Sequence, residues 1–175
     1  MAKHILVFLL SLTILPGLVY SQEWKLDKKS SYIRFHIDSM LNGVDGDFRS
    51  FSVEQVKIKG DESSGLIKID TSSIYTANTK RDKHLRSEDF FYSKKYPFAT
   101  VKVLNLKDDK ATVEITIRGK TVKKEIPVQF KVSEGHVRAS GHVILNRKKF
   151  DINYGVFYNP IKDNAVVRFR IHLVK

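Results

Sequence analysis

The strongest constraint on this chain is a two-residue alternation of apolar and polar side chains that recurs along most of its length. "YIRFHI" sets Ile33, Phe35 and Ile37 against Tyr32, Arg34 and His36. "ATVEITIRG" sets Val113, Ile115 and Ile117 against Thr112, Glu114, Thr116 and Arg118. "EIPVQFKV" places Ile126, Val128, Phe130 and Val132 opposite Gln129 and Lys131, and "VVRFRIHLVK" places Val167, Phe169, Ile171 and Leu173 opposite Arg168, Arg170 and His172. Weaker versions run through 48–58, 66–69, 100–106 and 136–145. Successive side chains of a strand point to opposite faces, so each run is a strand with one dry face. Turn residues separate them at Asn42-Gly43, 60–65, Asp108-Asp109, 118–121, 133–135 and 159–164. About eight such strands joined by short turns form an antiparallel sheet, whose dry face is hidden by closure into a barrel or folding into a sandwich. No internal repeat, linker or low-complexity stretch interrupts this pattern, which predicts one domain.

The N-terminus reads differently. Lys3 precedes an apolar run from Ile5 to Leu15 broken only by Ser11 and Thr13, then Pro16-Gly17, and Val19-Tyr20-Ser21 suits a cleavage site. A run of 11 residues falls short of the roughly 20 that a membrane span needs. The expectation is a signal peptide over 1–21, cleaved at Ser21-Gln22, and a mature domain over 22–175 in the periplasm or outside the cell. The chain has no cysteine, which excludes a disulfide framework, a thiolate zinc site and a lipid-bearing N-terminal cysteine. An exported domain held by its core alone suits a bacterial envelope compartment.

The net charge is +12, a balance that attracts nucleic acid or anionic headgroups. The cations are spread along strands (Lys57, Lys59, Lys68, Lys102, Arg168, Arg170) rather than gathered in a block. They read as a solvated face with at most a weak attraction to anionic membrane surfaces. Single-stranded nucleic acid binding needs aromatics and cations on one open face, whereas Phe169 points away from Arg168 and Arg170. Nucleic acid is therefore not expected as a partner, and homodimerisation is left open.

One segment breaks the alternation. "TKRDKHLRSEDFF", Thr79 to Phe91, crowds charges together and ends on two phenylalanines. Thr79 with Asp82 three residues on resembles a capping box, helix formers follow, and Tyr96-Pro97 bars continuation. The segment reads as a short helix with too little apolar surface for the core. It either lies across an opening, pressing Leu85, Phe90 and Phe91 inward, or is an ordinary surface crossover. Asp82, His84 and Ser87 invite a catalytic triad, but neighbours at this spacing on a helix do not reproduce its geometry and no nucleophile elbow exists. His136 and His142 share strand parity yet lie about 20 Å apart, and His36 and His172 could meet only on neighbouring strands. No enzyme, metal or cofactor is expected.

The order of several short motifs resembles the YceI-like family. Arg81-Asp82, His84-Leu85-Arg86-Ser87, Asp89-Phe90-Phe91 and Tyr96-Pro97 are similar to its signature segment. Trp24, Asp27, Ser31, Ile33 and Phe35 are similar to its first strand, and Val44, Gly46 and Phe48 to the stretch that follows. Ile115-Thr116-Ile117, Gly119 and Thr121 are similar to its hairpin, and Arg147 with Phe150 to its arginine-x-x-phenylalanine. Ser30, Val122 and Asp151 stand where the family often has histidine, lysine and glycine.

The resemblance implies an extended, eight-stranded, lipocalin-like antiparallel barrel with a helix beside it. It also implies a long apolar tunnel that binds polyisoprenoid or other long-chain amphiphiles in the periplasm without catalysis. Strand parity and size then nominate Ile33, Phe35, Phe48, Phe51, Ile69 and Phe98 as tunnel residues. Ile115, Phe130 and Phe169 join them, with Leu85, Phe90 and Phe91 from the helical segment. Arg81, Asp82, His84 and Arg86 stand where a head group or lid would be, and Arg81 and Asp82 also read as structural salt bridges or hydrogen bonds that fasten the helix to the barrel. The opposing reading is an envelope interaction protein with a packed barrel.

Overall fold

The computed structural model describes residues 23–39, 42–153 and 161–175. The signal peptide expected over 1–21 lies outside them, as do the cleavage junction at Gln22 and residues 159–160 of the last expected turn. The strands are β1 (Lys25–Leu26), β2 (Tyr32–Ser39), β3 (Val44–Phe48), β4 (Phe51–Lys57), β5 (Ser64–Asp70) and β6 (Ile74–Tyr75), before helix α1 (Thr79–Leu85). They continue as β7 (Phe98–Lys107), β8 (Lys110–Ile117), β9 (Lys120–Ser133), β10 (His136–Asn146) and β11 (Ile161–Val174). All strand pairs are antiparallel, in the order β4-β5-β7-β8-β9-β10-β11-β2-β3-β6, with β1 also on β11.

Eleven strands are recorded among the described residues, but two pairs of them are single strands with a break. Phe48 faces Ile74 in the β3–β6 ladder and Phe51 faces Ile69 in the β4–β5 ladder. Between these, Arg49 N donates to Ser73 O at 3.2 Å and Asp70 N to Ser50 O at 3.0 Å. β3–β4 thus runs as one long strand beside β5–β6. Because β3 also pairs with β2, the sheet returns on itself. Eight long strands close the barrel, as the alternation and the family resemblance require. The closure is incomplete at one place. β4 runs past the start of β2, and no strand pairs with its outer edge among the described residues.

The turns are built as their residues dictate. Asp108 and Asp109 both have positive φ (50° and 57°), as do Arg118 and Gly119 (50° and 74°), which suits two-residue hairpins on right-twisted strands. At Gly46 a Cβ would meet Phe35 Cζ at 2.3 Å, so glycine there is what lets the Phe35 ring fold across the sheet inside the barrel.

Four expectations are corrected. The cap of α1 is Asn78, whose side chain accepts from Arg81 N, and not Thr79. The helix ends at Leu85, well before Tyr96-Pro97, where the Ser87 amide closes a tighter turn onto His84 O at 3.0 Å. Val132 is 53% exposed, since β9 by then extends past the barrel wall as a hairpin arm with β10. Ile161 to Asn164 belong to strand β11 rather than to a turn, with Asn164 opposite Asn146.

Candidate functional site

The inward face of the strands does not fill the barrel. It encloses a cavity of about 280 Å³, and among its lining residues only Ser63, Ser64, Thr100 and Arg147 carry polar side chains. The alternation explains this composition: β2 contributes Ile33, Phe35 and Ile37, β8 contributes Val113, Ile115 and Ile117, and β11 contributes Val167, Phe169 and Ile171. A space that could hold many waters but offers them so few partners does not bind water well.

Of the nominated tunnel residues, Ile33, Phe35, Phe48, Ile69, Ile115, Phe130 and Phe169 line this cavity. Leu85, Phe90 and Phe91 line it as well, and Phe91 meets Phe48 edge-on with ring centroids 5.5 Å apart. Two nominees do not. Phe98 is 46% exposed and carries the Lys68 ammonium over its ring at 4.3 Å; it opens β7, where parity turns it outward beside inward Ala99. Phe51 packs on the apolar cluster of Ile33, Ile69 and Leu173 but faces a surface cleft rather than the lumen.

The polar residues expected at the mouth are engaged otherwise. Asp82 is only 4% exposed, and its Oδ1 accepts from Thr76 N at 2.8 Å and from Thr76 Oγ1 at 2.5 Å. Arg81 Nε donates to Thr76 Oγ1 and its Nη2 to Thr76 O at 2.7 Å, while Arg86 Nη2 donates to Ile74 O at 3.0 Å. Arg118, from the β8–β9 hairpin, donates to the Glu88 and Phe90 carbonyls. These groups satisfy carbonyls at β6 and in the segment that follows it. They hold Leu85, Phe90 and Phe91 against the lumen, and the Asp82 carboxylate has no lone pair to spare for a ligand at Oδ1. His84 Nε2 lies 3.1 Å from Asp89 Oδ2, and Ser87 Oγ donates to the His84 carbonyl, so Asp82, His84 and Ser87 do not form a triad.

Arg147 was not among the nominated site residues, although the arginine-x-x-phenylalanine motif marks it. It is 5% exposed and lines the cavity beside Phe150 and Ile152. Its guanidinium donates to Lys162 O, to Ile152 O and to Asp163 Oδ1 at 3.0 Å, tying Arg147 and Ile152 to the start of β11. Lys148, first, and Arg147 after it hold the Asp163 carboxyl below its ordinary range, against its partial burial.

The histidines regroup unexpectedly. β2 and β11 are neighbours, but their register sets His36 opposite Val166, six residues from His172. His172 meets His136 instead, with Nε2 to Nδ1 at 3.2 Å, and its Nδ1 lies 3.1 Å from Asp27 Oδ2. This chain of three groups ties the N-terminal segment to β10 and β11. Parity could not reveal it, because the contact is diagonal across a ladder.

A second cleft, of about 250 Å³, opens where β4 runs past the start of β2. Lys28, Ser31, Tyr32, Arg34, Asp47 and Arg49 supply its polar rim, with Ile33, Phe48 and Phe51 at its base. In sequence these cations were indistinguishable from the rest of a solvated strand face.

The closed ladder and its dry lumen define a hollow antiparallel β-barrel of lipocalin-like build. The chain belongs to the YceI-like family: the model of the YceI-like domain matches residues 24–173. It is 30% identical over 142 residues to a UPF0312 protein of Staphylococcus epidermidis, covering 75% of this chain and 83% of that one. It is 34% identical over 113 residues to protein YceI of Escherichia coli, covering 61% of this chain and 58% of that relative's length. In fold it is similar to BcnA of Burkholderia cenocepacia, with a TM-score of 0.77, 22% identity and coverage of 84% and 98% of the two chains. It is also similar to a polyisoprenoid binding domain from Saccharophagus degradans, with a TM-score of 0.68, 16% identity and coverage of 86% and 97%.

Proposed function

We propose that this protein is a non-catalytic carrier or store for a long-chain apolar or amphiphilic lipid, held with its tail in the barrel lumen. A polyisoprenoid, an isoprenoid quinone or a fatty amide fits that description. The observation that carries the reading is the apolar cavity. Apolar side chains lining an unfilled space lack contacting atoms on one side, and water entering it finds few partners, so the lumen is better filled by an apolar chain. An acyl or prenyl tail supplies those contacts and adds about 0.8 kcal/mol for each methylene buried. The polyisoprenoid-binding relative in fold supports the same class of ligand. The N-terminal sequence supports export to the periplasm or beyond, where such a lipid would need shielding from water.

Native mass spectrometry of the purified protein, with organic extraction of what it carries, tests the reading. A lipid of one long tail should co-purify at one per chain. Ala139→Phe, which places a ring in the lumen, should fold yet exclude the longer tails. Protein that emerges empty, and that accepts no prenyl or acyl lipid on reconstitution, would make the barrel a packing scaffold and favour an envelope interaction role.

A further inference from the structure

The cleft beside β4 shares two residues with the lumen: Ile33 and Phe48 line both. At this seam the wall between solvent and tail is therefore a pair of apolar side chains and not a hydrogen-bonded ladder, since β4 has no strand on its outer edge among the described residues. The rim is cationic. Lys28 and Arg34 make no ion pair among the described residues, and the Arg34 guanidinium is held over the Tyr32 ring at 4.6 Å, with Arg170 on the same ring at 5.3 Å. Arg49 lies over Tyr75 at 3.3 Å, and its Nε is 3.7 Å from Asp47 Oδ1. That oxygen is buried and accepts no hydrogen bond. The aromatic stacking orients two guanidinium forks without occupying their N–H groups, which is the arrangement that receives an oxyanion. By contrast, the arginines of the helical segment and Arg147 are taken up by the protein's own carbonyls and by Asp163.

We infer that the Lys28–Arg34–Arg49 cleft receives the anionic head group of the lipid whose tail lies in the lumen, the tail entering between β2 and β4 past Ile33 and Phe48. This rests on the lumen reading above. A phosphate fits the rim: three cations against one carboxylate leave it net positive. The cleft thereby selects charge, a property the apolar lumen has no means to read.

The test compares farnesyl phosphate with farnesol, which share a tail and differ only at the head. Wild-type protein should bind the phosphate about tenfold tighter or more, the effect of one or two hydrogen bonds to a charged group, and that preference should shrink as salt is raised. The double variant Arg34→Gln/Arg49→Gln should lose most of the preference while farnesol binding and melting temperature stay close to wild type. Lys28→Gln, whose side chain makes no bond among the described residues, should lower the preference without any folding question. An equal ratio in wild type, or a ratio untouched by the variants and by salt, overturns the head-group site and leaves the lumen reading standing. Inorganic phosphate binding the tail-free protein as tightly as farnesyl phosphate does would make the cleft a free-anion site and also overturn it. Failure of both lipids to bind overturns the head-group site together with the lumen reading.

Discussion

Two cationic regions border the same apolar lumen and use their charge in opposite ways. At the helix-bearing end, Arg81, Arg86, Arg118 and Arg147 all donate to backbone carbonyls, and Arg147 adds an ion pair with Asp163. At the seam beside β4, Arg34 and Arg49 rest on tyrosine rings and Lys28 reaches into an open cleft. In the first region the chain leaves the sheet after β6, so carbonyls there need donors and take the nearest guanidinium groups. The second borders the open outer edge of β4, and its guanidinium groups rest on tyrosine rings. What an arginine does here is decided by which carbonyls and rings lie within its reach, not by its place at a barrel rim.

Removing cations from each region breaks this contrast if it is wrong. Arg147→Ala should cost most, about 3 kcal/mol or more in chemical denaturation, because it strands buried carbonyls and removes a partner of Asp163. Asp82→Ala should cost about 2–3 kcal/mol, since the Thr76 N–H and hydroxyl both lose their acceptor in a dry site. It should also loosen Phe90 and Phe91 from the lumen, seen as faster lipid exchange. Arg34→Gln should stay within about 0.5 kcal/mol of wild type, as surface substitutions do, and change ligand charge preference only. Equal destabilisation at both regions would erase the distinction.

The smallest effect is one of pH. His36 is hydrogen-bonded to Asp45 at 2.9 Å and to Asp38 at 3.3 Å, and these contacts, Asp45 first, raise its pKa above the ordinary 6.5. A raised histidine contributes stability that is complete below the unfolded value and is lost as pH rises through the folded one. Thermal melts should therefore fall slightly across the range just above pH 6.5, and His36→Gln should flatten that slope. The contact is exposed, so the change should be small and salt-sensitive.

Much of the fold was legible because its cause is local. A side chain's face in a strand depends only on parity, so the alternation alone places Ile33, Ile115, Phe130 and Phe169 on the inner face. Val132 escaped because parity says which way a residue points only where the strand belongs to the wall, and Val132 lies on an arm beyond it. Phe98 was nominated for its size, although the alternation of β7 turns it outward. The helical segment's aromatics were readable from composition, and Arg81 and Asp82 were legible as hydrogen-bonding groups that fasten the helix, whereas their partner Thr76 was not, because pairing depends on which groups lie nearby. Arg147 was marked by a motif, but nothing in the motif says that its charge is buried.

The sequence by itself determined that strands with one dry face would alternate with tight turns and that a charged, aromatic-ended piece would interrupt them. Both follow from side-chain periodicity, which acts over a few residues. Only the tertiary structure decided that the dry faces enclose a cavity instead of meeting, that β3–β4 and β5–β6 carry the sheet round to β2, and that the wall thins beside β4. Those outcomes depend on register and shear between strands far apart in the chain. A shift in that pairing would move Arg34 and Arg49 apart while leaving every local pattern unchanged.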